Sequence, residues 1–158
     1  MNYYNQIARG YSELYKEEQF NKLFIIKSNI ETSKETRILD IGCGNGISSE
    51  FDCFVVGLDN SIELLKQNKS KLKILSNAET LPFKDNSFNY VISVTSIHNF
   101  KNLKQSIKEI KRVATKKLIF SVLKKSKKFD LIMDIIKKNF KIDKIIDEGR
   151  DTILFCSC

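Results

Sequence analysis

Tryptophan is absent, histidine and proline occur once each, and the 158 residues hold only six glycines and four cysteines. Each shortage excludes something. With Pro82 the sole proline there is no proline-rich linker, so the chain reads as one folding unit of ordinary domain size, residues 1–158. No stretch approaches the roughly 18 uninterrupted apolar residues of a membrane span. The start, MNYYNQIARG, lacks the apolar core and cleavage pattern of a secretory leader, which points to the cytoplasm. The cysteines never take C-x-x-C spacing: Cys43 and Cys53 lie ten apart, and Cys156 and Cys158 flank Ser157 with no second Cys or His pair nearby. Reduced thiols and no metal site are expected.

Charge is plentiful but lopsided. The net charge is +8, yet residues 1–100 carry 11 basic and 12 acidic side chains, while residues 101–150 carry 16 and 6. A clustered positive surface attracts polyanions. The excess is almost all lysine, which is less suited than arginine to bidentate phosphate contacts, so a solvated lysine-rich surface is the alternative reading.

Strands and helices alternate. Residues 3–30 have helical apolar spacing interrupted near Gly10 and predict two leading helices within residues 1–33. The core, residues 36–158, then predicts strands over 37–43, 54–59, 72–75, 87–96 and 116–123, helices over 61–69, 101–114 and 127–139, and a closing antiparallel hairpin, 140–146 with 152–158, around Gly149. This order predicts an α/β fold: a doubly wound, Rossmann-like, mostly parallel seven-stranded sheet with a C-terminal hairpin. Ligands of such sheets lie beyond the carboxyl ends of the strands.

The first strand runs into Asp40-Ile41-Gly42-Cys43-Gly44-Asn45-Gly46-Ile47. A dinucleotide fingerprint would need glycine where Ile47 stands, and a Walker loop would need Gly-Lys-Ser/Thr. The remaining pattern, G-x-G-x-G behind an acid, lets backbone pass close under a ligand. The second strand ends in Asp59, followed by Asn60. A carboxylate there accepts from both hydroxyls of a ribose, or else caps the helix that follows, a task Asn60 or Ser61 could take. Only twelve residues separate Gly46 from Asp59, so the first crossover helix must be cut to about a turn or two.

After the third strand comes Asn77-Ala78-Glu79-Thr80-Leu81-Pro82-Phe83-Lys84-Asp85-Asn86-Ser87-Phe88. Taken with Tyr4-Asn5-x-Ile7-Ala8-x-x-Tyr11, the glycine loop and Val55 to Asp59, these residues resemble the class I S-adenosylmethionine-dependent methyltransferases. The branch resembled includes quinone-biosynthesis enzymes and RNA modifiers. The resemblance implies S-adenosyl-L-methionine as cofactor, with Asp40, Gly42, Gly44 and Gly46 shaping the seat of its methionyl part and Asp59 with Asn60 at the ribose. Asn77 and Ala78 would flank the adenine, Asn77 replacing the usual Asp. Tyr11 would cap the cofactor from the leading helix, or is simply a core aromatic.

His98, after the fourth strand, stands where the family meets its acceptor. Two readings stay open: a base that removes or orients an acceptor proton, and a hydrogen-bonded structural histidine. The Asn/Asp-Pro-Pro-aromatic signature of amino-directed methylation is missing, and Cys43 sits in the wrong loop for covalent attack on a pyrimidine. Only residues 124–140 lie between the fifth and sixth strands, too few for a substrate lid. With the basic C-terminal third, this points to RNA, tRNA or rRNA, as the acceptor. The resemblance further implies a small zinc-containing activator protein pairing along the third strand, an expected sheet edge. A small-molecule or protein methyltransferase, or a noncatalytic S-adenosylmethionine-binding subunit, are the alternatives.

Overall fold

The computed structural model describes residues 3–158, with side chains from residue 13 onward. Seven strands, β1 (Arg37–Ile41), β2 (Phe54–Asp59), β3 (Lys73–Leu75), β4 (Phe88–Val94), β5 (Ala114–Leu123), β6 (Lys141–Asp147) and β7 (Asp151–Ser157), form one sheet in the order β3-β2-β1-β4-β5-β7-β6. β1 to β5 pair in parallel, and β7 inserts antiparallel between β5 and β6. The strand order reverses between β1 and β4, which opens a crevice at their carboxyl ends.

Four helices complete the chain: α1 (Tyr3–Lys27), α2 (Ile62–Gln67), α3 (Leu103–Val113) and α4 (Phe129–Asn139). On one face, Ile107, Ile110 and Val113 of α3 and Ile132 and Ile136 of α4 pack on Leu39, Val56, Val91, Leu118 and Leu154. The i, i+3, i+4 spacing of these isoleucines gives each helix a single buried stripe. On the other face, Ile26 of α1 closes over Ile38, Tyr90, Ile92, Ile119 and Phe155.

One element differs from the sequence pattern. Where two leading helices are predicted, α1 continues through Gly10. Glycine in a helix interior costs about 1 kcal/mol against alanine but raises no steric barrier. The first crossover contains a single 3₁₀ turn, Ile47–Ser49, because most of its few residues are taken by the glycine loop before it and the approach to β2 after it. That turn covers little of the sheet, and α1 takes over much of the same face.

A buried ion pair fixes α1 there. Lys22 is 1% exposed and Asp151 fully buried, with Lys22 Nζ 3.2 Å from Asp151 Oδ1. Nζ also donates to Thr95 Oγ1 at 3.0 Å, Thr95 Oγ1 donates to Asp151 Oδ2 at 2.8 Å, and Ser121 Oγ donates to the same oxygen. Side chains from α1, the end of β4, β5 and the start of β7 therefore meet in one desolvated cluster. Removing one partner of such a pair strands a charge, and Lys22→Met should lower the unfolding free energy by about 3–5 kcal/mol in urea titrations. A loss under about 1 kcal/mol would show that the pair does not hold α1.

Candidate functional site

The carboxyl ends of β1, β2 and β4 are laced together by the residues that follow them. Gly42 and Cys43 donate their N–H groups to Leu58 O at 2.7 and 3.1 Å, so the glycine loop folds over the tip of β2. Asp59 takes Gly44 N–H on Oδ2 and Ser61 N–H on Oδ1, each at 2.8 Å. Ser61, not Asp59, caps α2, accepting from Leu64 N. Ser96 Oγ donates to Ile41 O at 2.8 Å and bonds Ser93 Oγ, joining the tip of β4 to that of β1.

Gly42 has φ +77, and a Cβ there would run into the Ser96 side chain; no other residue fits this closure. At Gly44, φ +51, the nearest atom a Cβ would meet is Leu64 Cδ1 at 3.8 Å, so that side of the loop faces open space. The space is a cleft lined by Gly42, Gly44, Leu58, Asp59, Asn60, Ser61 and Ala78 on one side. Tyr15, Thr95, Ser96, Asn99, Phe100 and Lys101 line it elsewhere.

Of the sequence-predicted residues, Gly42, Gly44, Asp59, Asn60 and Ala78 thus share one cleft. Asp40, Gly46, Asn77 and His98 do not line it, and Tyr11 falls outside the described side chains. Asp40 is fully buried beneath the glycine loop, where Oδ2 accepts Ser48 and Ser49 hydroxyls at 2.6 Å each. Gly46, φ +94, packs against Asn68. Asn77 is solvent-exposed. His98 sits in a 3₁₀ turn, Ile97–Asn99, immediately before two cleft residues. Its Nδ1 is buried without a hydrogen-bond partner among the described residues. Desolvation holds its pKa below the ordinary 6.5, with Asp151 opposing and Lys128 assisting, so the ring is neutral and able to take a proton at neutral pH.

Several contributors are not signalled by motif. Asn68, 2% exposed, donates to Gly44 O at 3.1 Å and supports the loop from α2's end. Thr95 lines the cleft with φ +51, a strained conformation for a β-branched residue, sustained by the Lys22–Asp151–Ser121 cluster and by its own N–H to Ser121 O. Glu79 Oε1 accepts from Lys101 N and Asn102 N and ties the two sides of the mouth. A lysine among the apolar positions of α1 is the one sequence sign of the cluster. Cys43 is buried, and desolvation pushes its thiol up to about 12, which removes it as a nucleophile.

Residues 39–121, more than half of the chain, match the family model described as a methyltransferase domain. The chain belongs to the class I S-adenosylmethionine-dependent methyltransferases. This methyltransferase-family chain is 39% identical over 118 residues to an uncharacterized protein of Methanocaldococcus jannaschii, covering 70% of this chain and 45% of that one. It is 26% identical over 120 residues to the tRNA (carboxymethyluridine(34)-5-O)-methyltransferase of Saccharomyces cerevisiae, covering 72% and 42%. It therefore spans about half the length of such curated relatives. Among solved structures it shares its fold, TM-score 0.74 at 12% identity over 95% and 94% of the two chains, with the protein crystallised with the Trm112 methyltransferase activator of Haloferax volcanii.

The cleft suits the family's cofactor, S-adenosyl-L-methionine. A carboxylate has about four lone-pair sites, and the two backbone donors on Asp59 leave two for ribose hydroxyls. The open side of Gly44 admits a ligand against main chain.

Burial raises the Asp40 pKa to about 6, with the Ser48 and Ser49 hydroxyls opposing and the Asp59 charge assisting. The folded state thus prefers protonated Asp40: stability from this group is greatest below the unfolded pKa of about 4 and is lost as pH rises through about 6. The loss amounts to about 3 kcal/mol. Asp40→Asn should therefore gain about that much on the wild type between about pH 4 and about pH 7 in denaturant titrations. A constant difference would mean that Asp40 ionises normally.

Proposed function

We propose that this chain transfers the methyl group of S-adenosylmethionine to RNA, tRNA or rRNA, with a small activator protein paired along β3. The observation that carries the reading is the form of the acceptor side. Only a five-residue loop, 124–128, joins β5 to α4, so that connection inserts no lid over the cleft, whose mouth has Lys101 at the edge of the lysine-rich third of the chain. The yeast relative's action on tRNA supports the same acceptor class. For the activator, β3 is an edge strand of three residues ending in exposed Leu75 and preceded by exposed Leu72, an unpaired rim that invites an added strand. The fold-mate solved with Trm112 supports a partner of that kind.

The bound donor supplies an electrophilic methyl group; the protein's task is alignment and exclusion of water. Backbone around Gly42 and Gly44 would hold the donor's amino-acid end and Asp59 its ribose. Neutral His98, beside Asn99 and Phe100, would orient the acceptor or accept its proton.

Labelled donor incubated with the chain and fractionated cell extract, with and without co-expressed activator, should place label in nuclease-sensitive material. Label confined to material that survives nuclease and protease would replace RNA with a small molecule. Asp59→Ala should weaken donor binding by about 10- to 100-fold in calorimetry, since charge-assisted hydrogen bonds contribute about 1.5–3 kcal/mol. His98→Ala should lower turnover with donor affinity unchanged, and should abolish an acid limb in the pH–rate profile lying below the ordinary histidine range. Full activity would leave His98 a packing residue.

A further inference from the structure

The basic surplus of residues 101–150 divides between the two ends of the sheet. α3 and α4 each begin at the carboxyl ends of the strands and run back toward the amino ends. Lys101, Lys104 and the loop Lys124-Lys125-Ser126-Lys127-Lys128 therefore lie at the cleft end, and Lys116, Lys117, Lys137, Lys138 and Lys141 at the opposite end.

Five of the cleft-end lysines are electrostatically available. Lys124 pairs with Asp147, and at the far end Lys117 pairs with Asp143. Lys101, Lys104, Lys125, Lys127 and Lys128 are solvent-exposed and have no ion pair among the described residues. Asp130, in the first turn of α4, is the sole acid between residues 124 and 133. The loop also borders the acceptor side directly: it is the link between β5 and α4, and the charge of Lys128 reaches His98. Lys101 lies on the cleft mouth itself.

We propose that Lys125, Lys127 and Lys128 of the β5–α4 loop, with Lys101 at the cleft mouth, form a phosphate grip that seats the RNA backbone beside His98. The proposal rests on the RNA reading above and adds where the polymer is held. Lysines are compact point charges on flexible stems, so the grip positions the backbone without reading bases. Base selection is then left to the cleft, and an exposed lysine loop takes the place of the missing lid. The far-end lysines share the same composition but have no cleft beside them, which makes them the internal control.

The test compares Lys125→Ala/Lys127→Ala/Lys128→Ala with Lys137→Ala/Lys138→Ala/Lys141→Ala in tRNA binding across a salt series, by fluorescence anisotropy. Each phosphate contact contributes about 0.7–0.9 to the slope of log affinity against log salt, so the cleft-end triple should flatten the slope by about 2. The far-end triple should leave it unchanged within about one contact. Donor affinity by calorimetry should match wild type in both, confirming intact folds. Equal slopes in the two triples would overturn the grip while leaving RNA as the acceptor. If wild type shows no salt-dependent RNA binding and label enters only small molecules, the RNA reading falls and the grip with it.

Discussion

The Lys22–Asp151 ion pair is the contact on which the arrangement of the cleft depends. Two charges removed from water are tolerable only when most of their remaining hydrogen-bonding capacity is used. Thr95 and Ser121 supply that capacity, and they come from the end of β4 and from β5. A well-packed apolar substitute could match the pair in stability. It would lack the directional bonds that set how far α1 stands over the strand tips. Tyr15, two turns before Lys22, reaches the cleft from that placement.

The same cluster explains how the two sides of the cleft differ. On the side proposed for the donor the geometry is set by main chain, Gly42 and Cys43 on Leu58 O and Gly44 on Asp59, with Asn68 under Gly44 O. On the side proposed for the acceptor it is set by side chains from distant parts of the chain, and Thr95 is held there in a strained conformation. Glu79 links the two by accepting from the backbone at Lys101 and Asn102.

This contrast also accounts for what the sequence makes visible. Gly42, Gly44 and Asp59 are legible because local backbone demands produce local signatures: left-handed turns need glycine, and a strand-tip acid follows at a fixed distance. The strand order and the hairpin follow from periodicity and connection length. The continuity of α1 through Gly10 is not legible, since a helix propensity penalty and a break look alike until tertiary packing decides between them. Asp40 reads as part of the ligand loop, yet its carboxylate bonds Ser48 and Ser49 under the loop. Burial is a property of the crossover turn above it, not of the motif. Lys22 and Asp151 are separated by 129 positions, so no window of sequence contains both.

The short edge of the sheet at β3 has a mechanical consequence. β1 and β2 are buried under helices on both faces, but beyond them the sheet ends in the three-residue β3, exposed or half-buried throughout, with the six-residue α2 beside it. Such a rim belongs to the part of a molecule that opens locally without global unfolding. A bound ligand that needs it closed would add about 2.7 kcal/mol to its opening free energy at a hundredfold excess over Kd. The sheet is thus best buried through its middle and least buried at the β3 rim, where local opening costs least.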